Sequence, residues 1–327
     1  MNRISLVAGI FATALLLGGC AGFGEGLVRA VLSQMEGDPE VDTRACEIQG
    51  APFDGILVAI QSQDGQGRIG NAPTSERSVV KVMVDPLVYV GAGRQKILSA
   101  IRQSMCWAYS TEWGEFPEAP AQCRQDDPRY GSRLKMDRFF FVTHSLGSRI
   151  VLDALETTAD DLFAQLDSDT ETSPFLTNLQ HHTVTVFMLA NQLPLLQAGF
   201  DPVPVTGQIG AYCMPDAPLY DRRIVARTRV IAFSDPNDLL SYPIPDDFVQ
   251  YGIDSRLCPT VVNMSLNIAR VSRLLARDGF ANPLTAHTGY NDDERVIGLM
   301  IGGLGRPETP PAVTERCNWI QVEEALR

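Results

Sequence analysis

The chain has 327 residues, 45% of them hydrophobic, enough to bury one large core or two small ones. Lysine and arginine number 27 against 39 aspartates and glutamates, a net charge of −12. No basic run is long enough to track phosphates, so nucleic acid is excluded as a main partner.

The first element is at the N-terminus. Arg3 precedes an uncharged run from Ile4 to Gly19 that closes on Leu17-Gly18-Gly19-Cys20. A positive start, a short apolar stretch and a small-residue site predict a secretory signal peptide over 1–19. The run is too short to cross a bilayer, which takes about 20 helical residues. Leu-Gly-Gly-Cys resembles the lipobox of bacterial lipoproteins, which implies lipidation of Cys20 and a lipid anchor in the cell envelope. With Ala21 after the cysteine, the resemblance leans towards the periplasmic face of the outer membrane. The competing reading is an ordinary signal peptide cut elsewhere. Residues 20–45, Gly-rich with one apolar patch, read as a tether.

Removing Cys20 from the seven cysteines leaves six: Cys46, Cys106, Cys123, Cys213, Cys258 and Cys317. An even number in an exported chain predicts disulfides, although six cysteines allow 15 pairings and sequence does not choose among them. There is no Cys-x-x-Cys or His-x-x-x-His spacing, so no structural zinc site is expected, and no cofactor is called for.

A folded domain is expected over 46–305. Gly55 to Ile60 and Val79 to Val84 read as strands. Arg94 to Tyr109 has helical spacing, with Ile97, Leu98, Ile101 and Met105 on one face. Thr111 to Leu134 reads as a loop carrying Trp113. Arg138 to Thr143 is a short continuous apolar run, as expected of a central parallel strand covered on both faces. A helix follows from Gly147 to about Leu155, with Ile150, Val151, Ala154 and Leu155 inward. Thr183 to Leu189, Arg229 to Ser234 and Thr260 to Leu266 are three further strands. Strands alternating with helices predict an α/β fold, doubly wound with a mainly parallel sheet. Two loop insertions, around Trp107, Trp113 and Phe116 and from Asp201 to Tyr220, read equally as pocket walls or as disulfide-braced surface. Proline-rich 306–327 reads as a tail pinned by Cys317.

The chemistry lies at Thr143-His144-Ser145-Leu146-Gly147. A strand that turns directly into a helix leaves no room for bulk two residues on either side of the serine. It also sets the hydroxyl at a helix N-terminus, which favours developing negative charge. Strand, motif and helix together resemble the nucleophile elbow Gly-x-Ser-x-Gly of the α/β-hydrolase superfamily, with Thr143 in place of the first glycine.

A serine nucleophile needs a base, and the chain has four histidines. His144 sits inside the elbow. His181 and His182 precede a strand and fall at the far edge of a parallel sheet. His287, on a loop from Pro283 to Tyr290, remains, and its late place matches the family order of serine, acid, histidine. The acid is expected in Ser234 to Pro243, where Asp238 follows Asn237 as the family's acid commonly does. Asp235 is the other candidate and also reads as a turn initiator before Pro236.

The resemblance further implies an oxyanion hole with the N–H of Leu146 as one donor. The second usually comes from a His-Gly step, which this sequence lacks; Gln61 is the nearest positional equivalent, then Gly91 to Gly93. The activity implied is esterase- or lipase-like hydrolysis of a small-molecule or lipid ester through Ser145, His287 and Asp238. Thioesterase or acyltransferase chemistry uses the same residues. A non-catalytic envelope lipoprotein that keeps the fold as a binding scaffold is the rival.

Overall fold

The computed structural model describes residues 45–51, 53–55, 89, 91–110, 122–123, 129–135, 137–166, 173–197, 202–269, 271–272, 280–305, 307, 309–315 and 317–321. In chain order it forms β1 (Ala45–Gln49), α1 (Arg94–Ser110), β2 (Phe140–His144), α2 (Gly147–Leu166), α3 (Pro174–Gln180) and β3 (Thr183–Leu189). Next come α4 (Leu193–Gln197), α5 (Ile209–Cys213), β4 (Arg227–Ser234), α6 (Asp246–Gly252) and β5 (Pro259–Leu266). The two-residue strands β6 (Val271–Ser272) and β7 (Phe280–Ala281) precede α7 (Pro283–Thr288), α8 (Glu294–Gly302), α9 (Pro311–Thr314) and β8 (Asn318–Gln321). The strands expected at 56–60 and 79–84, the signal peptide and most of the tether lie outside the described residues, as do Cys20, Gln61, Trp113 and Phe116.

The sheet order is β2-β3-β4-β5-β1-β8. β2 to β5 run parallel, β1 is antiparallel to β5, and β8 is parallel to β1. This is an α/β architecture with a mainly parallel sheet. Parallel neighbours need crossovers, and here each crossover carries a helix.

Period-two alternation sorts the central strands between two cores. Val184, Val186 and Met188 of β3, with Val230 and Ala232 of β4, pack with Leu98 of α1, Val151 and Leu155 of α2, Phe175 of α3 and Phe248 of α6. Phe187, Leu189, Ile231 and Phe233 point to the other face. They meet Phe53, Tyr290, Val313 and, from α8, Val296 and Leu299.

Three sequence expectations change. β2 is an outer strand of the described sheet, not a central one: Phe141 packs against the first core and Phe140 against the second, while Val142 is 52% exposed. α2 runs eleven residues past Leu155. Thr157 and Thr158 return their hydroxyls to the carbonyls of Asp153 and Ala154, so the buried stripe continues through Ala159 and Leu162. The chain end expected as a tail supplies α9 and β8, and β8 pairs with β1 from Ala45–Asn318 to Ile48–Gln321. The pinning by Cys317 is present, because its disulfide partner is Cys46 on β1.

Disulfides also join Cys106 to Cys123 and Cys213 to Cys258, so all six expected cysteines are paired. The Asp201–Tyr220 insertion is therefore braced at α5. No helix among the described residues is long and apolar enough to cross a membrane.

Candidate active site

Parallel strands place their carboxyl ends along one edge, and loops leaving that edge converge there. Ser145 follows β2 at this edge. Its φ is 56°, in the left-handed region, and only two other non-glycine described residues have positive φ. That conformation costs a serine about 1–3 kcal/mol, so the surroundings must hold it. The Ser145 N–H donates to Leu189 O at 2.8 Å, extending the β2–β3 ladder, and Ser145 O accepts from Ser148 N at 3.1 Å.

A Cβ on Gly147 would stand 3.2 Å from Thr143 Cβ. The turn therefore tolerates threonine at its first position because its last is glycine. Thr143 is held in turn by its hydroxyl, which donates to Phe187 O at 3.2 Å.

His287, expected on a loop, lies in α7, a helix capped by Asn282, whose Oδ1 accepts from Leu284 N and Thr285 N. Its ring is buried, and Nε2 sits 3.0 Å from Ser145 Oγ. Nδ1 lies 2.8 Å from Asp238 Oδ2. An ionised carboxylate only accepts, so the proton of neutral His287 is on Nδ1, and the Nε2 lone pair faces the serine hydroxyl. Asp238 is buried as well, and its Oδ1 takes the Leu240 N–H at 2.9 Å.

Asp235 does not reach His287 in this arrangement. It is buried, and Oδ1 accepts from Asn237 N at 2.7 Å and Asn237 Nδ2 at 3.0 Å. Its Oδ2 accepts from Ile268 N at 2.7 Å and Ala269 N at 3.0 Å. The turn reading was too small for this residue, because it ties the loop after β4 to the segment after β5.

His182 stands at the opposite edge of the sheet, with Nε2 2.9 Å from Asp137 O. Burial lowers its pKa, with Arg138 adding a smaller push in the same direction. His144 Nε2 is 2.9 Å from His287 O, a contact that elimination among the histidines did not anticipate. The Leu146 N–H lies at the start of α2, where the first helical N–H groups lack an intrahelical acceptor. Gly91 to Gly93 form the turn into α1, with Arg94 N on Gly91 O. No group of acidic, histidine or cysteine side chains able to hold a metal is present among the described residues.

Chemically, the chain from Ser145 Oγ through His287 to Asp238 can pass a proton from the hydroxyl to Nε2 as Oγ attacks an electrophilic carbon. No protein-family profile, curated protein or solved structure matches the chain.

Proposed function

We propose that the protein is a serine hydrolase of the α/β-hydrolase type that cleaves carboxylic esters. The observation that carries this reading is the hydrogen-bonded line from Ser145 Oγ to His287 Nε2 at 3.0 Å and from His287 Nδ1 to Asp238 Oδ2 at 2.8 Å. It starts from a serine with positive φ between a parallel strand and a helix.

In the reaction, Ser145 Oγ bonds to the acyl carbon while its proton passes to His287 Nε2. Asp238 stabilises the imidazolium. The tetrahedral oxyanion takes the N–H of Leu146, and Gln61 is the proposed position of the second donor. Collapse expels the alcohol, which leaves with the proton from Nε2. Water then repeats the sequence on the acyl-enzyme and frees the acid. The substrate is a small-molecule or lipid ester.

The proposed setting is the bacterial envelope, with Cys20 lipidated and 21–44 as the leash. Cys20→Ser should then leave the membrane fraction, since one lipid-bearing terminus supplies the attachment; unchanged fractionation defeats the anchor.

A fluorophosphonate probe tests the enzyme reading, because it reacts with an activated serine. Purified protein should label, and Ser145→Ala should not. Lack of labelling in the wild type, or labelling retained in Ser145→Ala, overturns the assignment.

A further inference from the structure

The residue before the nucleophile makes a contact that proton transfer does not require. His144 ends β2 and is in register with Leu189, so the sheet fixes its backbone. Its Nε2 lies 2.9 Å from the carbonyl oxygen of His287, 143 residues away. A carbonyl only accepts, so Nε2–H is the donor. The His144 ring meets the His287 ring edge-on, with centroids 5.3 Å apart, and the Tyr290 ring at 6.3 Å.

The accepting atom has a reason to need this partner. α7 has six residues, and the last four carbonyls of any helix have no intrahelical donor. His287 O is one of them, on a buried residue. Leaving it bare would cost the desolvation of a polar group, and His144 satisfies it.

The contact also closes a loop of restraints. Tyr290 is buried, with its hydroxyl 3.2 Å from Ser241 Oγ, and Ser241 Oγ accepts from Asp235 N at 3.3 Å. Elbow, base and acid loop are thus joined through His144 and Tyr290 as well as through the reacting side chains.

We infer that His144 is a positioning residue. Its Nε2–H clamps the His287 backbone so that the imidazole stays in line with Ser145 Oγ. The inference rests on the hydrolase reading for its kinetic consequence and on the geometry alone for the clamp. Small displacements matter here, since a misplacement of about 1 Å costs on the order of 10²-fold in rate.

The test pairs two variants. His144→Leu removes the donor and keeps bulk, whereas His144→Gln offers an amide N–H at similar reach. For a p-nitrophenyl ester, His144→Leu should lower kcat by about 10²-fold and leave KM within about threefold, with fluorophosphonate labelling slowed alike. His144→Gln should return to within about tenfold of the wild type. Hydrogen exchange over 283–290 should rise in His144→Leu and stay near wild type in His144→Gln. If His144→Leu keeps its kcat and its exchange pattern, or if His144→Gln falls as far as His144→Leu, the clamp is wrong.

Wild-type protein gives a check that needs no variant. Nitrogen-15 labelling of histidine should place the His144 proton on Nε2 in slow exchange, and a proton on Nδ1 overturns the inference. An unlabelled wild type sinks the hydrolase reading, while a labelled wild type with indifferent variants sinks only the clamp.

Discussion

Asp235 and Asp238 lie three residues apart on one turn, joined by the Asp238 N–H to Asp235 O at 2.9 Å, yet their carboxylates serve different partners. Asp238 faces the His287 ring, whereas Asp235 gathers four donors, two of them backbone N–H groups after β5. Asp238→Asn should therefore fold and lose about 10⁴ in turnover, as when an orienting carboxylate is replaced in a serine protease. Asp235→Asn sets an amide NH2 against donors, and a buried unsatisfied group costs about 1–3 kcal/mol. It should melt earlier and keep turnover within about tenfold when folded. Kinetics with parallel melts decide; a dead but fully stable Asp235→Asn would exchange the two roles.

The elbow makes a second, compensable prediction. With a Gly147 Cβ only 3.2 Å from Thr143 Cβ, Gly147→Ala forces a shift of a few tenths of an ångström next to Ser145. We expect a loss of about 1–3 kcal/mol in stability, as for overpacking elsewhere, with slower fluorophosphonate labelling. Thr143→Gly in the same chain removes the opposing Cβ and should restore much of both. Purely additive losses would show that these two atoms do not set the fit.

Where the sequence was readable, a local cause made it so. β3 and β4 end in continuous apolar stretches, Val186 to Leu189 and Val230 to Phe233, which mark them as strands of a buried parallel sheet. Ser145, His287 and Asp238 emerged from a short motif, the scarcity of histidine and an Asn-Asp step. What stayed hidden is non-local. No pattern links His144 to a carbonyl 143 residues on, or Asp235 to N–H groups more than thirty residues later. β8 was hidden by the prolines before it and by a disulfide partner at the other end of the domain. Thr157 and Thr158, poor helix formers by propensity, concealed the second half of α2.

The Cys46–Cys317 bond spans a sequence separation of 271 and staples β8 beside β1. Closing a loop of that size restricts the unfolded chain strongly, and losing a native disulfide typically costs about 2–5 kcal/mol. The double variant Cys46→Ser with Cys317→Ser should lose stability in that range, with hydrogen exchange rising first at 318–321. Mature wild-type protein should show no free thiol under denaturing conditions. Two titratable thiols, or a double variant as stable as the wild type, would contradict the staple.

Glu156 gives the pH dependence a sign. It lies on α2 with its side chain 17% exposed, 4.0 Å from Arg149. Burial pushes its pKa up to about 7; nearby Asp153 adds to this, Asp254 and Asp160 add less, and Arg149 opposes. Arg149 offers limited relief, because its guanidinium is engaged by Asp153 at 2.6 Å. In the unfolded chain an ordinary glutamate titrates near 4.3. Between that value and about 7 the native state holds a proton that the unfolded state has released, so stability falls as pH rises through the window. The contribution of the protonated carboxyl is complete below the unfolded value and gone above about 7. Each pKa unit corresponds to about 1.4 kcal/mol, which bounds the loss at about 4 kcal/mol, and relaxation around the charge reduces it. Glu156→Gln is neutral throughout. It should match the wild type near pH 4 and exceed it by about 1–3 kcal/mol at pH 8, with the gap opening between them. Denaturant unfolding of both proteins across that range reads it directly. A constant gap would mean that burial leaves the titration of Glu156 unchanged, and one that closes as pH rises would mean that Arg149 outweighs burial.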